Sequence, residues 1–258
     1  SELFKESIEA LEIAKEFEKS QGVSLDLGIV LTSAEYEPWL NDRKAEIDAY
    51  YWNRYKLLLM KSLSTDVINT MDQETDRIVG LLQDPEISGP WDRRGLVMGH
   101  VQSGKTGNYT GVVTKAADAG YKLIVIIAGV NNNLRNQTQT RIDEGFIGKD
   151  SSKLLSSKPE QKFVGVGNYD KKRFPSTFTS SVRDFSKVTA TSVGVPLQNM
   201  SEPAVLVIKK NSSILKNLIE WLKAANTSMS TDKIYEPMLL IDDEADNASI
   251  NVKYGKNE

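Results

Sequence analysis

The chain has 258 residues and a formal net charge of −3, from 35 acidic and 32 basic side chains. It contains no cysteine and one histidine, which excludes disulfides, thiolate metal sites and multi-histidine metal sites. With this charge, any contact with nucleic acid must come from a local groove. No apolar run is long enough for a transmembrane helix, and the acidic N-terminus is not a signal peptide. We therefore expect a cytoplasmic protein with no membrane partner.

The first third of the chain is predicted to be helical. Apolar residues recur at helical spacing in residues 2–19, and two further helices are expected at about 38–63 and 65–83, the latter with Thr65 as a possible N-cap. A loop carrying Gly89 and Pro90 follows. We therefore predict a helical N-terminal region, residues 1–90, and a second domain, residues 91–258.

A glycine-rich motif lies near the start of the second domain. Residues 99–106, GHVQSGKT, fit the pattern G-x-x-x-x-G-K-S/T of a phosphate-binding loop. The apolar run at 96–98 predicts a strand before it and residues 105–119 predict a helix after it, so backbone N–H groups and the helix dipole point at one place. A triphosphate is the expected ligand, with Lys105 at its β- and γ-phosphates and Thr106 at Mg²⁺. The other residues expected to bind the nucleotide are Gly99, Gln102, Ser103 and Gly104.

Apolar, β-branched runs predict the strands of a buried parallel sheet, because such strands are covered on both faces. Including the run before the motif, they lie at 96–98, 123–128, 204–208 and 237–241. The predicted helices between and after them lie at 105–119, 134–143 and from Ser212 or Ser213, either of which can cap, to about 225. This alternation predicts an α/β fold with a mostly parallel sheet.

Residues 150–202 interrupt the alternation. They are rich in Ser, Thr and Lys, and one short piece at 163–166 is strand-like. We expect an irregular insertion.

Acidic residues follow the last predicted strand. Asp242, Asp243 and Glu244 come directly after residues 237–241, and the carboxyl ends of parallel strands lie at the edge where the phosphate-binding loop is also expected. Asp243 is expected to hold Mg²⁺, with Asp242 as the alternative, and Glu244 to orient and deprotonate the attacking water. Lys105 and Glu244 are thus the predicted catalytic residues. A solvated acidic loop does not explain why both motifs fall at the ends of buried strands.

These motifs resemble those of superfamily-two helicases. Residues 99–106 resemble motif I, residues 243–246 have the D-E-A-D form of motif II, and residues 128–137 with their LRNQ ending resemble motif Ia. The resemblance implies a RecA-like P-loop NTPase domain that uses ATP and Mg²⁺. It also implies contacts of motif Ia with the nucleic-acid backbone, at Asn133, Arg135 and Gln137. Many superfamily-two loops have glycine where this chain has Gln102, which affects the expected loop conformation.

Segments from Arg93 to Asn251 resemble the bacterial Z-one domain family more closely. The specific phrases are VQSGKT and DDEADNASIN. Members of that family are described as endonucleases attached to superfamily-two-like ATPase modules. The resemblance implies an ATP-driven, DNA-acting protein in a restriction or phage-defence system.

Superfamily-two motors hydrolyse ATP between two RecA-like domains, the second of which supplies arginine fingers. The resemblance therefore implies a further partner, a C-terminal RecA-like domain of the same polypeptide. The present chain is expected to be the N-terminal half and to hydrolyse ATP weakly alone.

Several alternatives stay open. Lys209 and Lys210 follow a strand at the functional edge and either contact DNA phosphates or form a solvated turn, and Arg135 and Arg141 have the same two interpretations. A metal-dependent endonuclease of PD-(D/E)xK type would use Glu160 and Lys162 with Asp143 or Asp150, although these residues also fit surface charges. A P-loop NTPase of another class and a non-catalytic nucleotide-binding scaffold are the remaining alternatives.

Overall fold

The computed structural model describes residue 36 and residues 38–98, 105–154, 158–193, 196–226 and 234–245. The predicted helix at 2–19, residues 99–104 of the glycine-rich motif and Asp246 lie outside the described residues. No described helix combines the length and the apolar character needed to cross a membrane.

Four parallel strands form the sheet, in the order β2-β3-β1-β4. They are β1 (Leu123–Ile127), β2 (Ser176–Thr177), β3 (Ala204–Ile208) and β4 (Met238–Asp242). Every residue of β1 and β3 is buried, as expected for apolar β-branched strands covered on both faces. The predicted α/β class with a parallel sheet is confirmed.

The described helices surround this sheet. They are α1 (Leu40–Arg43), α2 (Tyr50–Leu59), α3 (Thr65–Leu81), α4 (Lys105–Ala119), α5 (Asn132–Ile142), α6 (Ser151–Leu154), α7 (Lys187–Val193) and α8 (Ser212–Asn226). A π-helical turn at Asp143–Ile147 extends α5, and 3₁₀ turns lie at Gly165–Asn168 and Leu197–Asn199.

The two faces of the sheet carry separate apolar layers. One layer joins β1, β3 and β4 to α4 and to the helices before it, and includes Tyr51, Val79, Tyr109, Val113, Ala116, Ile124, Ile126, Val205, Val207 and Leu239. The other joins the opposite face of β1 and β3 to α8 and the insertion, and includes Leu123, Val125, Phe178, Phe185, Leu197, Leu206, Leu218 and Trp221. The core therefore lies on both sides of β1 and β3.

The insertion is more ordered than its composition suggests. It contributes β2, which pairs with the start of β3, and the rings of Phe178 and Phe185 lie 5.2 and 5.7 Å from that of Trp221. The expected strand-like piece at 163–166 is wrong, because Phe163 makes only an isolated bridge to Lys149 and a 3₁₀ turn begins at Gly165. Aromatic burial, which periodicity does not register, holds this segment.

Two predictions in the helical region also need correction. The single helix at 38–63 is two helices, with residues 44–49 in turns and bends between them. Ser64, not Thr65, caps α3, because its hydroxyl accepts the backbone N–H of Val67 at 3.4 Å.

The predicted strand at 96–98 is not a strand in the structure. Leu96, Val97 and Met98 are 74%, 63% and 85% exposed. Apolar character is not sufficient to make a strand, since its backbone groups need a neighbouring ladder. No strand among the described residues pairs with this run, and β4, at the end of the sheet, pairs with β1 alone.

Helix α4 packs closely against α2 and α3. There is no room for a side chain at Gly111 of α4, because a Cβ at this position would lie 2.9 Å from Thr75 Cγ2 and 3.3 Å from Trp52. One turn further on, Lys115 is buried and bonds to Asp72 and Asp76. The position of α4 therefore depends on the helices that precede it.

Gly111→Ala is expected to destabilise the protein by about 1–2 kcal/mol. Alanine gains up to about 1 kcal/mol of helix propensity, but overpacking at this crossing costs about 1–3 kcal/mol. Gly107→Ala in the same helix is the matched control, since its Cβ would meet Met71 at an ordinary 3.5 Å. Urea unfolding of both variants measures the difference, and equal stability of the two would contradict the packing argument.

Asp118 connects α4 to the start of α2. Its carboxylate accepts the backbone N–H groups of Tyr51 at 2.8 Å and Trp52 at 2.9 Å. Burial nevertheless raises the pKa of Asp118 from 3.8 to about 7. The folded state therefore favours the protonated carboxyl group of Asp118. The free energy of unfolding that this preference contributes is fully present below pH 4 and is lost as the pH rises towards 7.

Asp118→Asn is expected to weaken the pH dependence of stability. Asparagine cannot ionise, so the free energy of unfolding should fall less between pH 4 and pH 7 than in the wild-type protein. Chemical unfolding at several pH values measures both profiles. Asp143, whose pKa burial raises to about 6, contributes equally to both proteins, and parallel profiles would refute the role of Asp118.

Candidate functional site

Three strand ends meet at the carboxyl edge of the sheet. At the end of β1, the carbonyl of Ile127 accepts a hydrogen bond from the N–H of Asp243 at 3.0 Å. Two residues later, the carbonyl of Gly129 accepts one from the N–H of Lys210 at 2.7 Å. Glu244 lies against Gly129, since a Cβ on that glycine would be 3.3 Å from Glu244 Cγ. The turns after β1, β3 and β4 therefore form one surface.

The first turn of α4 reaches the same surface. Thr106 Oγ1 accepts a hydrogen bond from Arg141 Nη1 at 2.8 Å. One turn later, the side chain of Tyr109 lies close to Asp243, and burial followed by the Asp243 charge raises the pKa of Tyr109 to about 12. Thr106 and Asp243, two predicted metal ligands far apart in the sequence, thus both lie near the hydroxyl of one tyrosine.

The structure describes the other predicted nucleotide-binding residues only in part. Lys105 is the first residue of α4, as predicted, and its side chain is outside the described part of the chain. Gly99, Gln102, Ser103 and Gly104 are also outside it. Their roles remain predictions.

Two buried polar atoms at this edge lack partners. Within the described residues, Asp242 Oδ1 has no hydrogen-bond partner, and Tyr109 Oη has none of good geometry, although Thr106, Thr138 and Asp243 lie near it. Buried polar atoms are normally paired, so these two atoms could bond to a bound water, ion or ligand. Both atoms belong to side chains at the predicted nucleotide site.

The oxygen atoms at this edge fit magnesium. Mg²⁺ prefers hard oxygen ligands and is usually held by one or two carboxylates together with phosphates and water. Thr106 and Asp243, with Asp242 beside them, provide such ligands, and Asp242 Oδ1 is a buried oxygen with no partner. The described residues contain no group of three or more His, Cys, Asp or Glu side chains suited to a metal.

Lys210 is held inside the site. Its ammonium donates to Asp242 Oδ2 at 2.9 Å and to the Glu244 carbonyl at 3.0 Å, and 13% of its side chain is exposed. A contact with DNA phosphates does not fit this arrangement, because the ammonium would have to leave two oxygen partners. Lys210 instead fixes the acidic turn after β4.

Arg135 is also unsuited to the predicted nucleic-acid contact. It is 2% exposed, and its guanidinium donates to the carbonyls of Ser180 at 2.8 Å and Val207 at 3.3 Å. Arg135 therefore joins α5 to the insertion and to β3. Asn133 and Gln137 are exposed on α5. Lys209 is half-buried, and its ammonium donates to Asn132 Oδ1 at 3.0 Å in an exposed hydrogen bond, so all three side chains reach the surface.

The residues considered for a nuclease are only partly brought together. Asp150 Oδ2 lies 3.6 Å from Lys162 Nζ, and Glu160 is exposed. Asp143 is buried and accepts hydrogen bonds from Gln139 and Ser151. The adjacent strands that a PD-(D/E)xK site requires are absent from the described part of this region, where the isolated bridge at Phe163 is the nearest feature.

Sequence reasoning missed Tyr109 and the contact of Arg141 with Thr106. Tyr109 lies three residues after Thr106, so both occupy one face of α4, and this spacing was an available signal. Arg141 was considered only as a DNA contact or a solvated side chain. Its position on Thr106 depends on how α5 packs beside α4, which no local pattern reveals.

Lys210→Met is expected to destabilise the protein by about 1–2 kcal/mol, because the Asp242 carboxylate loses its charged partner in a partly buried position. Lys209→Met, at the neighbouring position, removes an exposed hydrogen bond to the neutral Asn132 amide and should change stability by less than about 0.5 kcal/mol. Thermal or urea unfolding measures both. Adding Asp242→Asn to Lys210→Met should restore part of the loss, and no restoration would contradict the assigned pair.

Comparison with other proteins provides no relative: no protein-family model matches the chain, and searches of curated proteins and of solved structures find no match.

Proposed function

We propose that the chain is the ATP-binding domain, RecA-like in fold, of a helicase-like protein that acts on DNA. The observation that carries this proposal is that Thr106, at the start of α4, and Asp243, directly after β4, both lie near the Tyr109 hydroxyl. A helix N-terminus favours anions, and carboxylates on the turn after β4 favour a cation. A magnesium–nucleotide complex satisfies both.

Each residue of the site has a distinct role in this proposal. Lys105 and residues 99–104 bind the phosphates, and Thr106 and Asp243 hold Mg²⁺, which supplies charge neutralisation at the phosphates when it is bound. Glu244 accepts a proton from the attacking water. The water oxygen bonds to the γ-phosphorus, the bond to the β–γ bridging oxygen breaks, and ADP leaves with that oxygen.

The proposed DNA contact rests on two supports. One is the resemblance of residues 128–137 to motif Ia and of the longer segments to the Z-one family, which also suggests a restriction or phage-defence role. The other is the position of exposed Asn133 and Gln137 on α5, and of the surface ammonium of Lys209 after β3. These side chains can donate hydrogen bonds to phosphate oxygens without disturbing the core.

The proposal includes a second RecA-like domain as a partner. Among the exposed apolar side chains are Leu96, Val97 and Met98, and Met238 and Leu240 of β4. Large apolar groups on a surface favour coverage by another domain. Such a domain would also supply further positive charge to the transition state.

Lys105→Ala and Glu244→Gln should separate binding from hydrolysis. Lys105→Ala is expected to abolish measurable ATP binding, because the phosphates lose their mobile cation. Glu244→Gln should bind ATP like the wild-type protein but hydrolyse it about 10²–10⁴ times more slowly, the usual contribution of a general base. Calorimetric titration with ATP and Mg²⁺ and a phosphate-release assay measure the two effects.

Single-stranded or duplex DNA added to the same assay tests the DNA-acting part of the proposal. We expect DNA to raise the rate of ATP hydrolysis by the wild-type protein and not by Glu244→Gln. Hydrolysis that DNA does not change would favour a P-loop NTPase of another class. Wild-type protein that binds no ATP would favour a non-catalytic scaffold and overturn the proposed function.

A further inference from the structure

Arg141 is a cation directed at the start of α4. Its Nη1 donates to Thr106 Oγ1 at 2.8 Å. Among the described residues no carboxylate lies within ion-pair distance of Arg141, whereas Arg43 pairs with Asp84 and Arg173 with Glu202. The threonine hydroxyl is neutral, so the guanidinium keeps its full positive charge at this position.

The surroundings of Arg141 favour an anion. The N-terminus of α4 carries partial positive charge and unsatisfied N–H groups. Tyr109, one turn away, is 9% exposed, and its hydroxyl lies near Thr106, Thr138 and Asp243 without a hydrogen bond of good geometry to any described residue. An acceptor such as a phosphate oxygen beside Thr106 would complete the hydrogen bonding of this hydroxyl.

The position of Arg141 matches one part of a nucleoside triphosphate. In the proposed function Thr106 would hold Mg²⁺, which would neutralise charge on the terminal phosphates of the nucleotide. A guanidinium that contacts the threonine hydroxyl is therefore within reach of the terminal phosphate. Its planar donors suit phosphate oxygens better than a hydroxyl, since charge-assisted hydrogen bonds are the stronger ones.

We propose that Arg141 binds the terminal phosphate of ATP and that this same chain thereby distinguishes ATP from ADP. This inference rests on the proposed function. When the nucleotide binds, the guanidinium moves from Thr106 Oγ1 to the γ-phosphate, which leaves the hydroxyl free for Mg²⁺. ADP has no terminal phosphate at that place, so Arg141 contributes little to its binding.

The test measures binding of Mg²⁺–AMP-PNP and Mg²⁺–ADP by the wild-type protein, Arg141→Met and Arg141→Lys. For Arg141→Met we expect AMP-PNP affinity to fall on the order of tenfold, as for the loss of a charged hydrogen bond, and ADP affinity to change by less than about twofold. Arg141→Lys should restore part of the loss. The matched control is Arg77→Met on α3, where the exposed guanidinium pairs with Glu74 at 3.3 Å, and it should bind both nucleotides like the wild-type protein.

The outcomes separate this inference from the proposed function. Unchanged AMP-PNP affinity in Arg141→Met, or equal weakening for both nucleotides, overturns the role of Arg141 while the proposed function stands. Wild-type protein that binds neither nucleotide overturns both. Thermal unfolding of every variant shows whether a loss of affinity reflects a loss of fold. If Arg141→Met is unfolded, Arg141→Lys, which keeps the charge, tests the role of Arg141 instead. The measured quantity is then the ratio of its AMP-PNP affinity to its ADP affinity, compared with that of the wild-type protein.

Discussion

The pairing of β1 with strands on both sides is the constraint on which the rest of the structure depends. Leu123 lies beside Ala204 of β3 and Met238 of β4, and the same register continues to Ile127. Because the three strands are parallel and start level, they also end level. The turns that follow them must then meet at one edge, which brings Lys210 beside Asp242 and Glu244 beside Gly129. The candidate site is a consequence of this register.

The helices before α4 also fix its position. Asp118 and Lys115 bond to the helices that precede α4, and Gly111 permits the close approach to Thr75. One apolar layer contains residues from both predicted regions. The helix whose first residues are expected to hold phosphate is thus positioned by the sheet on one side and by these helices on the other. Substitutions in the N-terminal helices are therefore expected to shift the N-terminus of α4.

Much of the fold was predictable because its signals are local. The helix at 105–119 and the strand at 204–208 match the structure at both ends, since glycine ends the first and an uninterrupted β-branched run defines the second. The predictions failed where a neighbour decides the outcome. The run at 96–98 has strand composition but no partner ladder among the described residues, and the insertion is held by Phe178 and Phe185 against Trp221, contacts that no period in the sequence reports.

The sequence by itself determined the chemistry available at the site, namely a lysine and a threonine at the end of a glycine-rich motif and three acids after an apolar run. Only the tertiary structure decided which charged side chains face that site. Arg135 and Arg141 lie on one helix and looked equivalent, yet Arg135 is buried against carbonyls of β3 and the insertion while Arg141 reaches Thr106. A side chain's burial depends on which elements pack against each face of its helix, and those elements are distant in the chain.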